Sequence, residues 1–230
     1  MSELNRRDFL QKAAALAGTT TFALTGCDAS NGRPAPQVTG MTPTPSTTNV
    51  DLEFALRAAP ARVSLLEGHP TDVWRFSSSP LRGSNQALVE TASGYLGPTL
   101  RLKRGQRVRI HFDNEIGEDS IVHWHGLYVS EANDGHPSHA VGSGKRYTYE
   151  FDVVNRAGTY WYHTHPADRT GPQVYRGLAG LLIVSDDDEA RLGLPDGDRE
   201  LTLVLQDRTF DGDNRLVYAP NRMIGFLGDR

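Results

Sequence analysis

Cysteine is almost absent: the 230-residue chain has one, Cys27. No intramolecular disulfide framework can form, so the folded part must be held by its apolar core. Long apolar runs are also missing. The richest one, over residues 13–26, mixes Ala, Leu, Gly and Thr and is too short and too polar for a membrane-spanning helix. Positive charge is scarce, with 24 Lys and Arg against 28 Asp and Glu and a formal net charge of −4. The basic residues outside the leader are scattered, which disfavours nucleic acid as a partner. Sustained helical periodicity is lacking too, and short alternating stretches broken by Gly and Pro stand in its place.

Residues 1–26 read as an export signal. Asn5-Arg6-Arg7-Asp8-Phe9-Leu10 resembles the twin-arginine signal, which exports proteins already folded, often with a cofactor. A general secretory leader with an incidental Arg-Arg is the plainer alternative. Leu24-Thr25-Gly26-Cys27 resembles a bacterial lipobox, which makes Cys27 the expected lipidation site. The competing readings are a thiol lost with the leader and a metal ligand, the latter disfavoured because no second cysteine or histidine is nearby. The expected location is therefore periplasmic or cell-surface, on a lipid anchor. Residues 27–50 are Pro, Thr, Ser, Asn and Gly with few large apolar side chains, and they read as a flexible tether.

Alternation of period two starts near Leu52, over residues 54–58 and 62–66, and is clearer at Asp72-Val73-Trp74-Arg75-Phe76. Residues 99–102, a turn at Lys103-Arg104-Gly105-Gln106 and residues 107–112 read as strand, Gly turn and strand. Tyr147, Tyr149, Phe151 and Val153 share one face, and residues 178–184 form a nearly continuous apolar strand. Many short strands with Gly and Pro turns predict an all-β sandwich or barrel over residues 51–186. Residues 187–200 read as a linker, and Leu201-Thr202-Leu203-Val204-Leu205 as the first strand of a second unit over residues 201–230. About thirty residues cannot bury a core of their own, so that unit is expected to be truncated.

The chemistry centres on His123-Trp124-His125-Gly126 and, forty positions later, His163-Thr164-His165-Pro166. On a strand, the histidines of each H-x-H share a face, about 6.6 Å apart by the strand rise. If the two strands are neighbours, four imidazoles converge, a donor set suited to zinc, copper, iron or nickel. A zinc hydrolase site would use three ligands and a general base, for which Asp134 or Glu131 is available, but it leaves the fourth histidine unexplained. A cupin-like iron or manganese site would take Glu131, but the surroundings of His163 do not match its second half. His69 and His111 read as surface or satisfied histidines, His136 and His139 as solvent-exposed loop residues in preference to a weak exposed metal site, and Trp124, Trp161 and the nearby tyrosines as groups packing the core or surrounding the histidines.

Four motifs taken in order favour copper. The HWHG block, Asp134-Gly135-His136-Pro137, the stretch from Gly158 through His163-Thr164-His165-Pro166, and Gln173-Val174-Tyr175-Arg176-Gly177-Leu178-Ala179-Gly180 together resemble the first cupredoxin domain of multicopper oxidases, bacterial laccase-like ones above all. The resemblance covers residue 95 onward and implies a cupredoxin-like Greek-key β-sandwich followed by the start of a second such domain. It implies that His123 is a ligand of the type 2 copper and that His125, His163 and His165 are ligands of the type 3 pair, in a trinuclear cluster that reduces dioxygen to water. It also implies that Asp134 is an acid relaying protons near the type 2 copper, whereas the residues alone allow a simple Asp-Gly turn.

The departures from the family are as informative. A type 1 copper site needs a cysteine on a His-Cys-His block, and the cluster needs an H-x-x-H-x-H block; neither occurs, and Cys27 belongs to the leader. The expectation is the N-terminal part of an exported oxidase, carrying half of the trinuclear cluster and no type 1 site, its remaining domains supplied in cis or in trans. Enzymatic activity is expected of the full-length protein, with dioxygen and a small phenolic or metal-ion reductant, and is left open for this chain alone. The three methionines are not clustered, so nothing points to cuprous ion as substrate. The alternative function is a non-catalytic copper-binding or envelope scaffold of cupredoxin fold; family members of that kind have lost the histidines kept here.

Overall fold

The structure, a computed structural model, describes residues 49–90 and 94–218. The leader, Cys27 and the tether up to residue 48 lie outside the described residues. Nine strands follow in order: β1 (Leu52–Val63), β2 (Thr71–Arg82), β3 (Leu88–Val89), β4 (Thr99–Lys103), β5 (Arg107–Asn114), β6 (Val122–His125), β7 (Lys145–Asp152), β8 (Gly158–Thr164) and β9 (Ala179–Ser185). They form a four-stranded sheet, β2-β1-β5-β7, and a five-stranded sheet, β3-β4-β9-β8-β6. Neighbours are antiparallel except β1 with β5 and β4 with β9. Two short helices, α1 (Thr170–Tyr175) and α2 (Asp187–Ala190), follow β8 and β9 respectively. No helix among the described residues is long and apolar enough to cross a membrane.

The all-β expectation is met, and period-two patterning explains the packing. Val108, Ile110 and Phe112 of β5, Tyr147, Tyr149 and Phe151 of β7, and Phe54, Leu56 and Ala58 of β1 are all buried in one core with Leu100, Leu182 and Val184. Trp124 of β6 closes that core, its ring 5.1 Å from Tyr149 at 86° and 5.9 Å from Tyr162. The edge-on contact with Tyr149 adds to the stabilisation from the area these rings bury.

Three local features depend on which segments become neighbours. β1 spans Leu52–Val63 and runs through Pro60, which falls where pairing with β5 has ended at Ala58. One side of β1 is without a ladder there, the position at which a strand accepts proline. The Gly105 turn (φ 91°) does not close a hairpin but carries the chain from β4 in one sheet to β5 in the other. Residues 201–209, expected to begin with a strand, are in none among the described residues; Leu201, Leu203 and Leu205 are all more than three-quarters exposed.

The outer face of the four-stranded sheet carries an ionic ladder. Glu150 accepts hydrogen bonds from Arg109 (2.8 Å) and Arg107 (2.9 Å), and Arg109 also reaches Glu53 at 3.5 Å. Burial alone would raise the Glu150 carboxyl, but the two guanidiniums override it and hold it below the usual carboxylate value. The folded chain thus binds this proton less readily than the unfolded chain. The stabilisation is complete above the unfolded pKa near 4.3 and is lost as the pH falls through the folded value. Urea midpoints should therefore drop between pH 5 and pH 3, and Glu150→Gln should lower the midpoint at pH 5 while flattening that dependence. An unchanged slope in the variant would remove Glu150 from this account.

Candidate metal centre

β6 and β8 are antiparallel neighbours with His123 opposite His163 and His125 opposite Trp161. Directly opposed residues share a face. Trp124 and Tyr162 fill the core on one side, so the histidines occupy the outer face of the five-stranded sheet. His165 lies just past β8, but its N–H donates to the Ile121 carbonyl (2.8 Å), which extends the pairing and keeps its ring with the others. The His123 ring centre is 5.5 Å from His125, 5.4 Å from His163 and 5.3 Å from His165. All four histidines singled out from the sequence are therefore brought together.

The hydrogen bonds set the tautomers. His123 Nδ1 donates to the Asp134 carbonyl (2.6 Å), and His163 Nδ1 donates to the Thr164 carbonyl (2.9 Å), leaving a lone pair on Nε2 of each ring. His163 Nε2 is 3.3 Å from His125 Nδ1. One ring nitrogen from each of His123, His125 and His163 lies within 4.8 Å of the other two. His165 Nδ1 is buried with no hydrogen-bond partner among the described residues, a cost unless something coordinates it. Burial pushes His163 down to about 4, with His123, His125 and His165 adding to the effect, so it is neutral, as a ligand must be. A converging set of imidazoles with outer hydrogen bonds fits a borderline-soft transition metal.

Asp134 touches the cluster twice. Its carbonyl holds His123, and its half-exposed carboxylate lies 3.3 Å from the same Nδ1. It is also the turn residue that the plainer reading expects, since Gly135 follows at φ 78° against the backbone of Val122 and His123. Glu131 is not brought to the cluster. It is exposed and lies 3.5 Å from His139 Nε2, which removes it as the carboxylate of a zinc or cupin-like site at the four histidines.

The remaining histidines divide. His111 is satisfied, between Thr148 Oγ1 (3.0 Å) and Glu53 (2.9 Å), while His69 and His136 are exposed. His139 departs from the exposed-loop expectation: it stacks on Tyr147 (5.9 Å, 15°) and is largely covered. Trp161 takes the second of its two expected places, around the histidines and not in the core. It lies over His163 at 4.2 Å and against His125 at 5.0 Å, a wall of the site that its place opposite His125 on β8 produces and that sequence spacing alone does not indicate.

The two-sheet β-sandwich with opposed H-x-H strands on one sheet is a cupredoxin-type domain. The chain belongs to the multicopper oxidase family, whose family model matches residues 73–189. It is 44% identical over 115 residues to multicopper oxidase mco of Staphylococcus aureus, covering 50% of this chain and 26% of that protein. It is 34% identical over 159 residues to cell division protein FtsP of Xenorhabdus nematophila, covering 68% of this chain and 33% of that one. Among solved structures, McoA multicopper oxidase from the hyperthermophile Aquifex aeolicus is 37% identical with a TM-score of 0.63, over 75% of this chain and 36% of that chain. The chain thus spans about a quarter to a third of the length of the curated relatives it matches.

Proposed function

We propose that the chain supplies one wall of a trinuclear copper cluster in an exported multicopper oxidase that reduces dioxygen to water while oxidising one-electron donors. The observation that carries this is the meeting of four imidazoles from β6 and β8, one of them with a buried, unpartnered Nδ1. In this reading His123 binds the type 2 copper and His125, His163 and His165 bind the type 3 pair. Bound copper would supply the redox chemistry. The chain's own residues orient and hold the ligands: Asp134 and Thr164 fix the rings of His123 and His163, and Trp161 shields His163. Reduction of dioxygen consumes protons, which in this reading the Asp134 carboxylate relays; its position beside His123, half-exposed, supports that role.

The electron-entry copper and the second wall of the cluster would come from domains beyond the segment beginning at Leu201, in cis or in trans. Export by the Arg6-Arg7 signal and anchoring through a lipidated Cys27 complete the proposal. A phenol or a metal ion is the reductant class. The second reading, a non-catalytic envelope scaffold, draws on the relatives named cell division protein FtsP. The four retained histidines weigh against it.

Metal analysis of the chain purified from medium containing both copper and zinc separates these readings. Copper in excess over zinc is expected, and its loss on prolonged chelation should be reversed by copper alone. A chain that takes up no copper above background is a scaffold, and one that retains zinc and refuses copper belongs with the hydrolases.

A further inference from the structure

The Gln173-to-Gly180 motif has no part in the site as described, yet its first residue bonds the segment leading into β6 and, through Leu178, is linked to β8. Gln173, on α1, is fully buried. Its Oε1 accepts from Ser120 Oγ (2.9 Å), and its Nε2 donates to the Asp119 carbonyl (2.9 Å), on the segment that enters β6 just before His123. A weaker contact, 3.4 Å, runs from Nε2 to the Glu118 carboxylate. Its backbone carbonyl accepts from Leu178 N–H (3.2 Å), and the Leu178 carbonyl accepts from Thr164 N–H (3.2 Å), between His163 and His165. One residue thus connects the entrance of the first histidine pair to the middle of the second through an unbroken run of hydrogen bonds.

We infer that Gln173 is a positioning residue that sets the spacing between the two histidine pairs. A buried primary amide suits the task because it donates and accepts at once, satisfying the buried Ser120 hydroxyl and the Asp119 carbonyl together. Leucine keeps the shape and loses both bonds. A glutamate would keep the bond from Ser120 but set a carboxylate oxygen against the Asp119 carbonyl and Glu118.

The inference is tested first without metal, by amide hydrogen exchange. In Gln173→Leu, the Thr164 and His165 amides should exchange at least about tenfold faster than in the unaltered chain, a sub-global opening confined to this region. A core control on β5, Val108→Ala, should leave that ratio near one. Ser120→Ala, which cuts a single bond, should give a smaller change of the same kind and serves if the leucine variant does not fold. Cu(II) titration then rests on the copper reading. Gln173→Leu should bind copper about tenfold more weakly, with an altered electron paramagnetic resonance spectrum, while the control keeps the parent spectrum. Amides that exchange no faster than in the control overturn the inference, as does faster exchange with an unchanged copper spectrum and affinity. If the unaltered chain takes no copper, the copper reading fails, and the exchange ratio still decides whether Gln173 holds the pairs.

Discussion

His163→Ala is expected to lower copper affinity at least a hundredfold, or roughly 3 kcal/mol, while the fold survives. His163 is the ring with neighbours on every side: its centre lies 5.4 Å from His123, 5.5 Å from His125 and 5.9 Å from His165, and Trp161 covers it. Its Nε2 lone pair is fixed by the Nδ1 bond to Thr164, and burial keeps it neutral down to a pH of about 4. Alanine removes the ligand and the ring that His125 and Trp161 pack against. The stability cost should be modest, roughly 1–2 kcal/mol, because the ring lies outside the sandwich core. His111→Ala is the matched comparison. That ring is committed to Glu53 and Thr148 on the other sheet, so its loss should leave copper binding as it was. Isothermal titration with Cu(II) under a competing chelator reads both variants. If His163→Ala holds copper within about threefold of the parent, the four histidines are not the site.

Gly135→Ala is expected to be the most damaging single-methyl change near the centre. Gly135 has a φ of 78°, a region that L side chains rarely adopt, and an added Cβ would overlap the Val122 carbonyl and come 2.8 Å from His123 Cα. Neither neighbour can move cheaply, because Val122 and His123 are paired with Thr164 and His163 on β8. The loop must lift away, carrying the Asp134 carbonyl off His123 Nδ1. A loss of roughly 3 kcal/mol or more in urea unfolding should accompany about a tenfold drop in copper affinity. Gly117→Ala makes a fair comparison: its φ of 82° is similar but no atom lies within 4 Å of its Cβ, so it should show the backbone strain of about 1 kcal/mol alone. Equal losses in the two variants would show that the packing of Gly135 on β6 does not matter.

The sequence was most legible where one physical rule acts alone. The alternation of Val108, Ile110 and Phe112, and of Tyr147, Tyr149 and Phe151, needs only the two-residue period of a strand to assign an inner and an outer face, and both sets are buried. The H-x-H spacing likewise required each histidine pair to share a face. Legibility failed where a second chain segment had to be known. Pro60 interrupts the alternation in sequence, but its tolerance depends on where β5 stops. Gly105 marks a turn, but nothing local says that its two strands enter different sheets. The alternating leucines from Leu201 look like a strand, yet none of the described residues pairs with them in a ladder.

The same division runs through the centre. The order of motifs was enough to place the chain among multicopper oxidases and to select His123, His125, His163 and His165 from eight histidines. Local spacing restricts only a residue's own strand, and so it could neither make β6 and β8 neighbours nor set His123 against His163. That pairing is a long-range choice, fixed by the ladder register, by the burial of Trp124 and Tyr162 on the opposite face, and by the contacts of α1. The tertiary structure alone also decided that Trp161 would cover the site, that Glu131 would turn to His139, and that Asp134 would hold His123 through its carbonyl as well as face it with its carboxylate. The sequence by itself determined which four imidazoles are candidates; close packing of distant segments decided their geometry, because a pairwise distance between residues forty positions apart is not contained in either residue's local preferences.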